Sequence, residues 1–305
     1  MNSNKSFRKT NNKRNNNEKN SFERKSSTKN KPFSKTNNRE KTFQKNNNFS
    51  INTYKKSFQN KQEFREEEQK DIRLNKFIAN AGICSRRDAD KYIVAGNVQV
   101  NGQVMNELGY RVKSTDIVKF DGKVISSERK EYILLNKPKG FITTTEDEKG
   151  RKTVMDLVAG ATSVRIKPVG RLDRLTTGLL LFTNDGDLAK KLTHPSHGIR
   201  KIYHVVLNKK LSGEDIYKIQ EGLTLEDGFV QVDEISYVEN SPKNEIGVKI
   251  HSGKNRIVRR IFEHLGYEVE KLDRVSFAGL TKKDLPRGHW RHLTAQEVIN
   301  LKNIK

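Results

Sequence analysis

Residues 170–186 read GRLDRLTTGLLLFTNDG, a charged loop that runs into an apolar segment. Asp173 lies between Arg171 and Arg174, and the run Leu179–Phe182 is typical of a buried strand. Positive charge on both sides favours the ionised carboxylate, which a nucleophile or a base requires. In a surface loop the same carboxylate would only pair with one of the arginines. Charge alone leaves both interpretations open.

The surrounding segment, residues 131–303, mixes strands with isolated helices. Ile133–Leu135 and Val205–Leu207 are predicted to be buried strands, and residues 246–250 alternate as in a half-exposed strand. A helix is predicted to open at Asn255 and to close at Gly266, with an apolar stripe formed by Ile257, Val258, Ile261, Phe262 and Leu265. Strands in runs, separated by single helices, predict an α+β domain around a largely antiparallel sheet.

Residues 71–130 predict a smaller domain of two helices followed by hairpins. Apolar residues recur at helical spacing over 74–81, and Ser85 caps a second helix. Arg86 and Arg87 lie in the first turn of that helix, where free backbone amides already favour anions. The two arginines therefore suit a phosphate site, although a pair of arginines on a small helix is more often a solvated face.

Residues 1–70 are the most basic and least apolar part of the chain. They contain 19 basic and 7 acidic residues, a net charge of +12 out of +23 for the whole sequence. Residues 1–60 contain 16 Asn, and Ile51 is their only Ile, Leu or Val. We expect a disordered tail, because so little apolar surface cannot offset chain entropy. Its aromatic–basic pairs suit stacking on exposed bases, and a purely solubilising tail fits equally well.

The composition excludes several classes of protein. A formal charge of +23 points to a polyanionic partner, either nucleic acid or an anionic membrane surface. No apolar run approaches the about 20 residues that span a bilayer, and none follows the basic N-terminus, so we expect a cytoplasmic protein. Cys84 is the only cysteine, which excludes an internal disulfide and a cysteine-cluster zinc site. We expect no cofactor and no metal, because nucleotide-binding loops and metal-spaced ligands are missing from the sequence.

Two parts of the chain resemble known families. The stretch LNKFIANAGICSRRDADKYIVAGNVQVNG at 74–102 resembles the RNA-binding domain named after ribosomal protein S-four. The stretch at 170–186, LLNKPKGFITT at 134–144, the Lys-Ile-Tyr element at 201–203 and KNRIVRRIFEHLGY at 254–267 resemble pseudouridine synthases of the RsuA/RluB type. The resemblance covers about residues 72–303, and Ile257 departs from it because relatives often carry Gln there.

This resemblance implies that a uridine in RNA is isomerised to pseudouridine with Asp173 as the catalytic residue. The target base must be turned out of the stacked RNA. Tyr203 would stack on the extruded base. The alternative is that Tyr203 is a strand residue that fills the apolar core. Arg259 would pair with Asp173 and keep it ionised, and Val258 would pack beside the base. Whether the aspartate attacks the sugar or abstracts a sugar proton stays open.

The same resemblance implies a set of RNA contacts. Arg171 would fill the space of the displaced base or position the backbone. The remaining contacts are basic side chains that we expect to bind phosphates or structured RNA, namely Lys254, Arg256, Arg260, Arg86 and Arg87.

The expected partner is ribosomal RNA or a pre-ribosomal particle, with large-subunit RNA first, small-subunit RNA second and tRNA third. We expect a monomer that needs neither a membrane nor a small-molecule cofactor. A rival hypothesis is a non-catalytic RNA-binding assembly factor, against which the intact Asp173, Tyr203 and Arg259 argue. A methyltransferase or tRNA synthetase with the same RNA module ranks third, because it would need a cofactor loop or ATP signatures.

Overall fold

The structure, a computed structural model, describes residues 71–304. The predicted basic tail, residues 1–70, lies outside the described residues. The described chain forms a small region of helices and short strands up to Val124, and a larger α+β region after it. The predicted α+β class is therefore confirmed.

The small region contains the two predicted helices. α1 spans Leu74–Asn80 and α2 spans Arg86–Val94, and the Ser85 side chain caps α2 by accepting a hydrogen bond from the Asp88 amide. The short strands are β1 (Ile72–Arg73), β2 (Val98–Val100), β3 (Gln103–Val104), β4 (Arg111–Val112), β5 (Val118–Phe120) and β6 (Lys123–Val124). Strands β3-β2-β5-β6 form one sheet, β1 pairs with β4, and a separate apolar core that includes Ile78, Ala89, Ile93 and Val98 lies beneath the helices.

The larger region is built on a nine-stranded sheet. Its strands are β7 (Tyr132–Lys137), β8 (Lys167–Pro168), β9 (Thr177–Thr183), β10 (Lys201–Leu207), β13 (Glu234–Tyr237), β14 (Glu245–Ile250), β15 (Val269–Phe277), β16 (Leu280–Thr281) and β17 (Trp290–His292), and β11 (Leu223–Leu225) and β12 (Gly228–Val230) form a separate hairpin. Seven strands follow the order β13-β14-β10-β15-β9-β7-β17, with β16 paired to β15 and β8 paired to β9. Among these pairs only β9 with β15 is parallel, so the sheet is largely antiparallel, as predicted.

Five α-helices and one 3-10 turn cover this sheet within the described residues. They are α3 (Val154–Val158), α4 (Gly186–Thr193), the 3-10 turn Pro195–His197, α5 (Gly213–Glu221), α6 (Ile257–His264) and α7 (Ala295–Asn303). Helix α6 begins two residues later than the predicted start at Asn255. The reason is that Arg256 adopts a left-handed conformation, with φ 46° and ψ 28°, which cannot continue a right-handed helix. Each helix of residues 71–304 is too short or too polar to cross a membrane.

A glycine brings the loop of residues 170–176 close to the centre of the sheet. Gly178 has φ +106° and pairs with Arg274 where β9 runs parallel to β15. A Cβ atom at this position would lie 2.3 Å from the Arg274 carbonyl oxygen, a distance that forbids any side chain. The last glycine of the GRLDRLTTG stretch is therefore required for the strand contact that fixes the loop.

Candidate active site

A pocket of about 180 Å³ opens between the loop of residues 170–176, β10, β15 and the start of α6. Six of the ten predicted site residues line it together, namely Arg171, Asp173, Tyr203, Lys254, Arg256 and Val258. Residues more than 80 positions apart in sequence thus meet at one concave surface. Arg259, Arg260, Arg86 and Arg87 are not among its lining residues.

The backbone of the Asp173 loop is held by a buried lysine that the sequence analysis did not single out. Lys137, at the end of β7, is 0% exposed, and its Nζ donates to the carbonyl oxygens of Asp173 (3.1 Å) and Thr176 (2.8 Å). It also reaches the carbonyls of Pro138 (3.1 Å) and Arg174 (3.3 Å). Burial lowers the pKa of Lys137 to about 8, against the opposing charge of Asp173. Since the lysine binds main-chain oxygens, the carboxylate of Asp173 stays available to the pocket.

The Asp173 carboxylate has a single ion-pair partner among residues 71–304. Its side chain is 39% exposed, and Oδ2 lies 3.8 Å from Nη1 of Arg256. Arg256 Nη2 also donates to Oε1 of Glu263 at 3.1 Å, so two acidic residues share one guanidinium. The left-handed backbone of Arg256 is unusual for a residue other than glycine, and such conformations concentrate at functional sites.

In the structure the Asp173 carboxylate pairs with Arg256, and the predicted partner, Arg259, binds a main-chain oxygen instead. Arg259 is only 7% exposed, and its Nη1 donates to the carbonyl oxygen of Val269 at 2.7 Å. Burial lowers the pKa of Arg259, and the nearby charge of Arg256 lowers it further, while the charge of Asp173 opposes both. The reason for the difference is position. Arg259 lies on the buried side of α6 and faces β15, whereas Arg256 precedes the helix at the mouth of the pocket.

The other two predicted phosphate-binding residues of this segment, Lys254 and Arg260, share one acidic partner, Asp227. Lys254 Nζ donates to the carbonyl oxygen of Asp227 at 2.9 Å, and Arg260 Nη1 donates to the carboxylate of the same residue at 3.1 Å. Lys254 still lines the pocket, but Arg260 does not. A phosphate at Arg260 would therefore have to compete with Asp227 for the guanidinium.

Tyr203 lies on the pocket face of β10, directly opposite Arg274 of β15. Its ring is partly buried and also packs against the apolar core, so the pocket and core interpretations of this tyrosine are compatible. Lys201, two residues earlier, lines the same pocket, and its Nζ donates to the carbonyl oxygen of His251 at 2.7 Å. Burial, followed by the charge of Arg274, lowers the pKa of Lys201 to about 8. The sequence analysis missed Lys201 and Arg274 as pocket residues, although Lys201 belongs to a motif that it quoted.

Arg86 and Arg87 lie in the small region, exposed at the start of α2, as predicted. The Nη2 atom of Arg86 donates to the side-chain oxygen of Asn75 at 3.4 Å. An ion pair between Lys76 Nζ of α1 and Asp187 of α4, at 2.7 Å, joins the small region to the larger one. The two arginines thus belong to a surface outside the pocket.

Comparison with known proteins identifies the class to which this fold and pocket belong. The model of the RNA pseudouridylate synthase family matches residues 131–264, and the model of the S4 domain matches residues 72–118. The ribosomal large subunit pseudouridine synthase B of Bacillus subtilis is 42% identical over 235 residues, which cover 76% of this chain and 96% of that protein. The chain therefore belongs to the RNA pseudouridylate synthase family, as an enzyme with an S4 RNA-binding domain.

Other relatives agree with this assignment. An RNA pseudouridine synthase of Aquifex aeolicus is 38% identical over 76% of this chain and 94% of its own length. The dual-specificity RNA pseudouridine synthase RluF of Escherichia coli is 38% identical over 75% of this chain and 78% of its own. A crystal structure of a pseudouridylate synthase aligns with 75% of this chain and 99% of its own, with a TM-score of 0.53 and 27% identity. The resemblance to synthases of the RsuA/RluB type is confirmed.

Proposed function

We propose that this enzyme converts a specific uridine of ribosomal RNA to pseudouridine, with Asp173 as its catalytic residue. The observation that carries the proposal is the Asp173 carboxylate, which faces a pocket beside Tyr203 and Val258 while its backbone is anchored by Lys137. Large-subunit RNA is the first candidate substrate, since the relative from Bacillus subtilis is named for the large ribosomal subunit. Small-subunit RNA is the second candidate substrate and tRNA is the third. The enzyme acts as a cytoplasmic monomer on RNA or on a pre-ribosomal particle.

The reaction is an isomerisation in which the C1′–N1 bond of the uridine breaks and a C1′–C5 bond forms. The target base has to leave the RNA stack, and the pocket offers Tyr203 as a ring to stack on it and Val258 as an apolar contact. Asp173 then attacks C1′ or removes the C2′ proton. Arg256, 3.8 Å away, is the cation that faces the carboxylate and orients it.

Two groups of basic residues position the RNA, one in the pocket and one in the small domain. Arg171 and Lys254 line the pocket and are suited to the sugar–phosphate backbone on either side of the target nucleotide. Arg86 and Arg87 present guanidiniums from a fixed helix start in the domain of residues 71–130. We propose that this domain selects the RNA segment and that the domain of residues 131–303 performs the reaction.

The experiment that tests the proposal is a map of pseudouridines across ribosomal RNA and tRNA from a strain lacking the gene and from its parent. We expect one position, or a few neighbouring positions, in large-subunit RNA to lose pseudouridine, and the wild-type gene to restore it. A loss confined to small-subunit RNA or tRNA would correct the substrate. An unchanged map in all three RNAs would contradict the proposed activity. An Arg86→Ala and Arg87→Ala double variant should restore the modification less completely than the wild type.

A further inference from the structure

Arg274 is a buried arginine in the wall of the pocket whose charge is not neutralised locally. It is 3% exposed and lines the pocket with Asp173 and Tyr203. Its Nε donates to the carbonyl oxygen of Leu179 at 2.8 Å, but Nη2 is buried and has no hydrogen-bond partner among residues 71–304. Nearly all buried polar groups in proteins have such a partner. Two other arginines of residues 71–304, Arg259 and Arg260, also have an Nε without a hydrogen-bond partner, but of the three only Arg274 lines the pocket, where a substrate can supply the partner.

A carboxylate within 4 Å of the Arg274 guanidinium is also missing from the described chain. The next residue along β15 in the N-terminal direction, Asp273, faces the other side of the sheet, where Arg287 and Lys282 bind it. A buried cation without an anion is costly, and proteins retain one mainly where a ligand or a substrate supplies the negative charge.

The neighbours of Arg274 fix where its guanidinium lies. Tyr203 is its cross-strand partner on β10, so the two side chains stand next to each other on the pocket face. A bulge at Val275 brings Phe277 to the same face, and the Arg274 guanidinium stacks on the Phe277 ring at 4.6 Å. Lys201, opposite Phe277, brings a second cation, a half-buried ammonium group, to the same wall. This wall of the pocket is therefore cationic, and it lies next to Tyr203, the ring proposed to stack on the base.

We propose that Arg274 donates a hydrogen bond to a carbonyl oxygen of the extruded uracil and stabilises the negative charge that the ring carries while it is detached from the sugar. This role rests on the proposed function, because it requires uridine isomerisation in this pocket. Lys201 supports it by adding positive charge to the same wall. Asp173 acts on the sugar, and Arg274 acts on the base.

The chemistry of the reaction requires such a group. When the C1′–N1 bond breaks, both of its electrons stay on the uracil ring, shared between N1, O2 and O4. C1′ either bonds to an Asp173 oxygen or shares a double bond with C2′ after Asp173 takes the C2′ proton. The turned ring then bonds to C1′ through C5, Asp173 leaves C1′ or returns the proton to C2′, the C5 proton departs and N1 gains a proton. A preorganised cation in a site shielded from water stabilises the anionic ring more strongly than water would.

The test is a double-mutant cycle between Arg274 and the base. The full-length enzyme is given an RNA fragment that carries its target uridine as uridine, 2-thiouridine or 4-thiouridine, and the single-turnover rate is measured. Sulfur accepts hydrogen bonds poorly, so for the wild type one thio-substitution should lower the rate about 10- to 100-fold. Arg274→Gln should lower the rate on uridine by a similar factor and then be insensitive to that same substitution. Arg274→Lys, which keeps the charge, should recover part of the rate on uridine.

Arg291→Gln is the matched control, because Arg291 lies on β17 outside the pocket and pairs with Glu297. It should leave the discrimination against both thio-bases at the wild-type value. Thermal unfolding of each variant shows whether a lower rate comes from a loss of folded protein or from a slower reaction. If Arg274→Gln does not fold, Arg274→Lys replaces it in the double-mutant cycle. Equal losses by the Arg274 variants on all three bases would overturn the role of Arg274. Wild-type enzyme that forms no pseudouridine on the uridine fragment would instead overturn the proposed function.

Discussion

Two aspartates on opposite faces of the same sheet, Asp173 and Asp273, have opposite surroundings. The Asp173 side chain is 39% exposed and has one cation at 3.8 Å. The Asp273 side chain is 12% exposed and accepts hydrogen bonds from Arg287 at 2.9 and 3.0 Å, from Thr177 at 3.0 Å and from Lys282. Burial alone would raise the pKa of Asp273, but Arg287 and Lys282 outweigh it and bring the pKa to about 2.

The difference separates charges that hold the fold from charges that are available to a substrate. On the Asp273 face, Arg287 also donates to Asn136 at 2.8 Å and thereby ties the end of β7 to β15. On the Asp173 face, buried polar atoms of Thr176 and Arg274 have no partner in the part of the chain that the structure describes. The charged groups around Asp273 are thus paired within the fold, whereas Thr176 and Arg274 keep polar atoms in the pocket that a substrate can bind. Arg259 and Arg260, outside the pocket lining, each also keep one Nε atom without a hydrogen-bond partner among residues 71–304.

The largest effect on stability is expected at the glycine where the two faces meet. Gly178→Ala places a methyl group against the backbone of Arg274 at a position with positive φ, so it should cost about 3 kcal/mol of unfolding free energy. Gly279→Ala is the control, since it has φ +82° but open space around it, and should cost about 1 kcal/mol. Chemical denaturation of both variants measures the difference. Equal costs would show that the close approach of β9 and β15 is not required.

The next largest effect on stability is expected from Asp273, which should contribute more to the unfolding free energy than Asp173. Asp273→Asn leaves two cations with a weaker partner in a buried network and should cost about 2 kcal/mol. Asp173→Asn, at a half-exposed site with one distant cation, should stay within about 0.5 kcal/mol of the wild type. Denaturation at pH 7 tests the pair, and a larger cost for Asp173→Asn would reverse the comparison.

The pH dependence of the same pair gives an independent check. Because the folded pKa of Asp273 is about 2, below its ordinary value of 3.8, its contribution is fully present above pH 3.8 and is lost as the pH falls towards 2. The stability gap between wild type and Asp273→Asn should therefore shrink between pH 4 and pH 2. A gap that stays constant across this range would argue against an ionised Asp273 network.

Two arginines at and before α6 should likewise differ, one affecting catalysis and the other affecting stability. Arg256→Ala removes the ion-pair partner of Asp173 and should lower kcat about tenfold, which corresponds to about 1.4 kcal/mol. Arg259→Ala removes a buried donor to the Val269 carbonyl and should cost about 1 kcal/mol of stability instead. Steady-state kinetics and chemical denaturation are measured on both variants. A kcat that falls only in Arg259→Ala would contradict the assignment of Arg256 to function and of Arg259 to stability.

The smallest effect is expected from the N-terminal tail. Residues 1–65 contain 18 basic and 4 acidic residues, so their removal should slow association with RNA about threefold at low salt and flatten the salt dependence of binding. The same uridine should still be modified. A tail of equal length with Gln in place of Lys and Arg should behave like the deletion. Modification of a different uridine by the truncated enzyme would make the tail a determinant of specificity.

The sequence predicted the fold class and both domain types because strand alternation, caps and turn residues are local signals. The Asn-Gly and Asp-Gly pairs at 101–102 and 121–122 are such turn residues, and both residues of each pair have the positive φ values of a tight hairpin turn. The grouping of Asp173, Tyr203 and Val258 in one site came from the resemblance to pseudouridine synthases and not from a local pattern.

The remaining features depend on long-range packing, which no local pattern encodes. The pairing of Asp173 with Arg256 instead of Arg259 follows from the left-handed turn before α6, which delays the helix start and leaves Arg259 on its buried side. Lys137 and Arg274 are ordinary basic residues in the sequence, and only their burial between strands gives them a role. A lysine that directly follows a buried apolar strand was the one sequence signal that could have identified Lys137.

The proposed role of the Asp173 carboxylate in uridine isomerisation is tested most directly by comparing Asp173→Asn with the wild type. Purified Asp173→Asn and wild-type enzyme are incubated with ribosomal RNA from the deletion strain, and pseudouridine at the mapped position is quantified over time. We expect Asp173→Asn to bind the RNA with unchanged affinity and to form pseudouridine at least about 1000-fold more slowly than the wild type. A folded Asp173→Asn enzyme that modifies the uridine at the wild-type rate would contradict the claim.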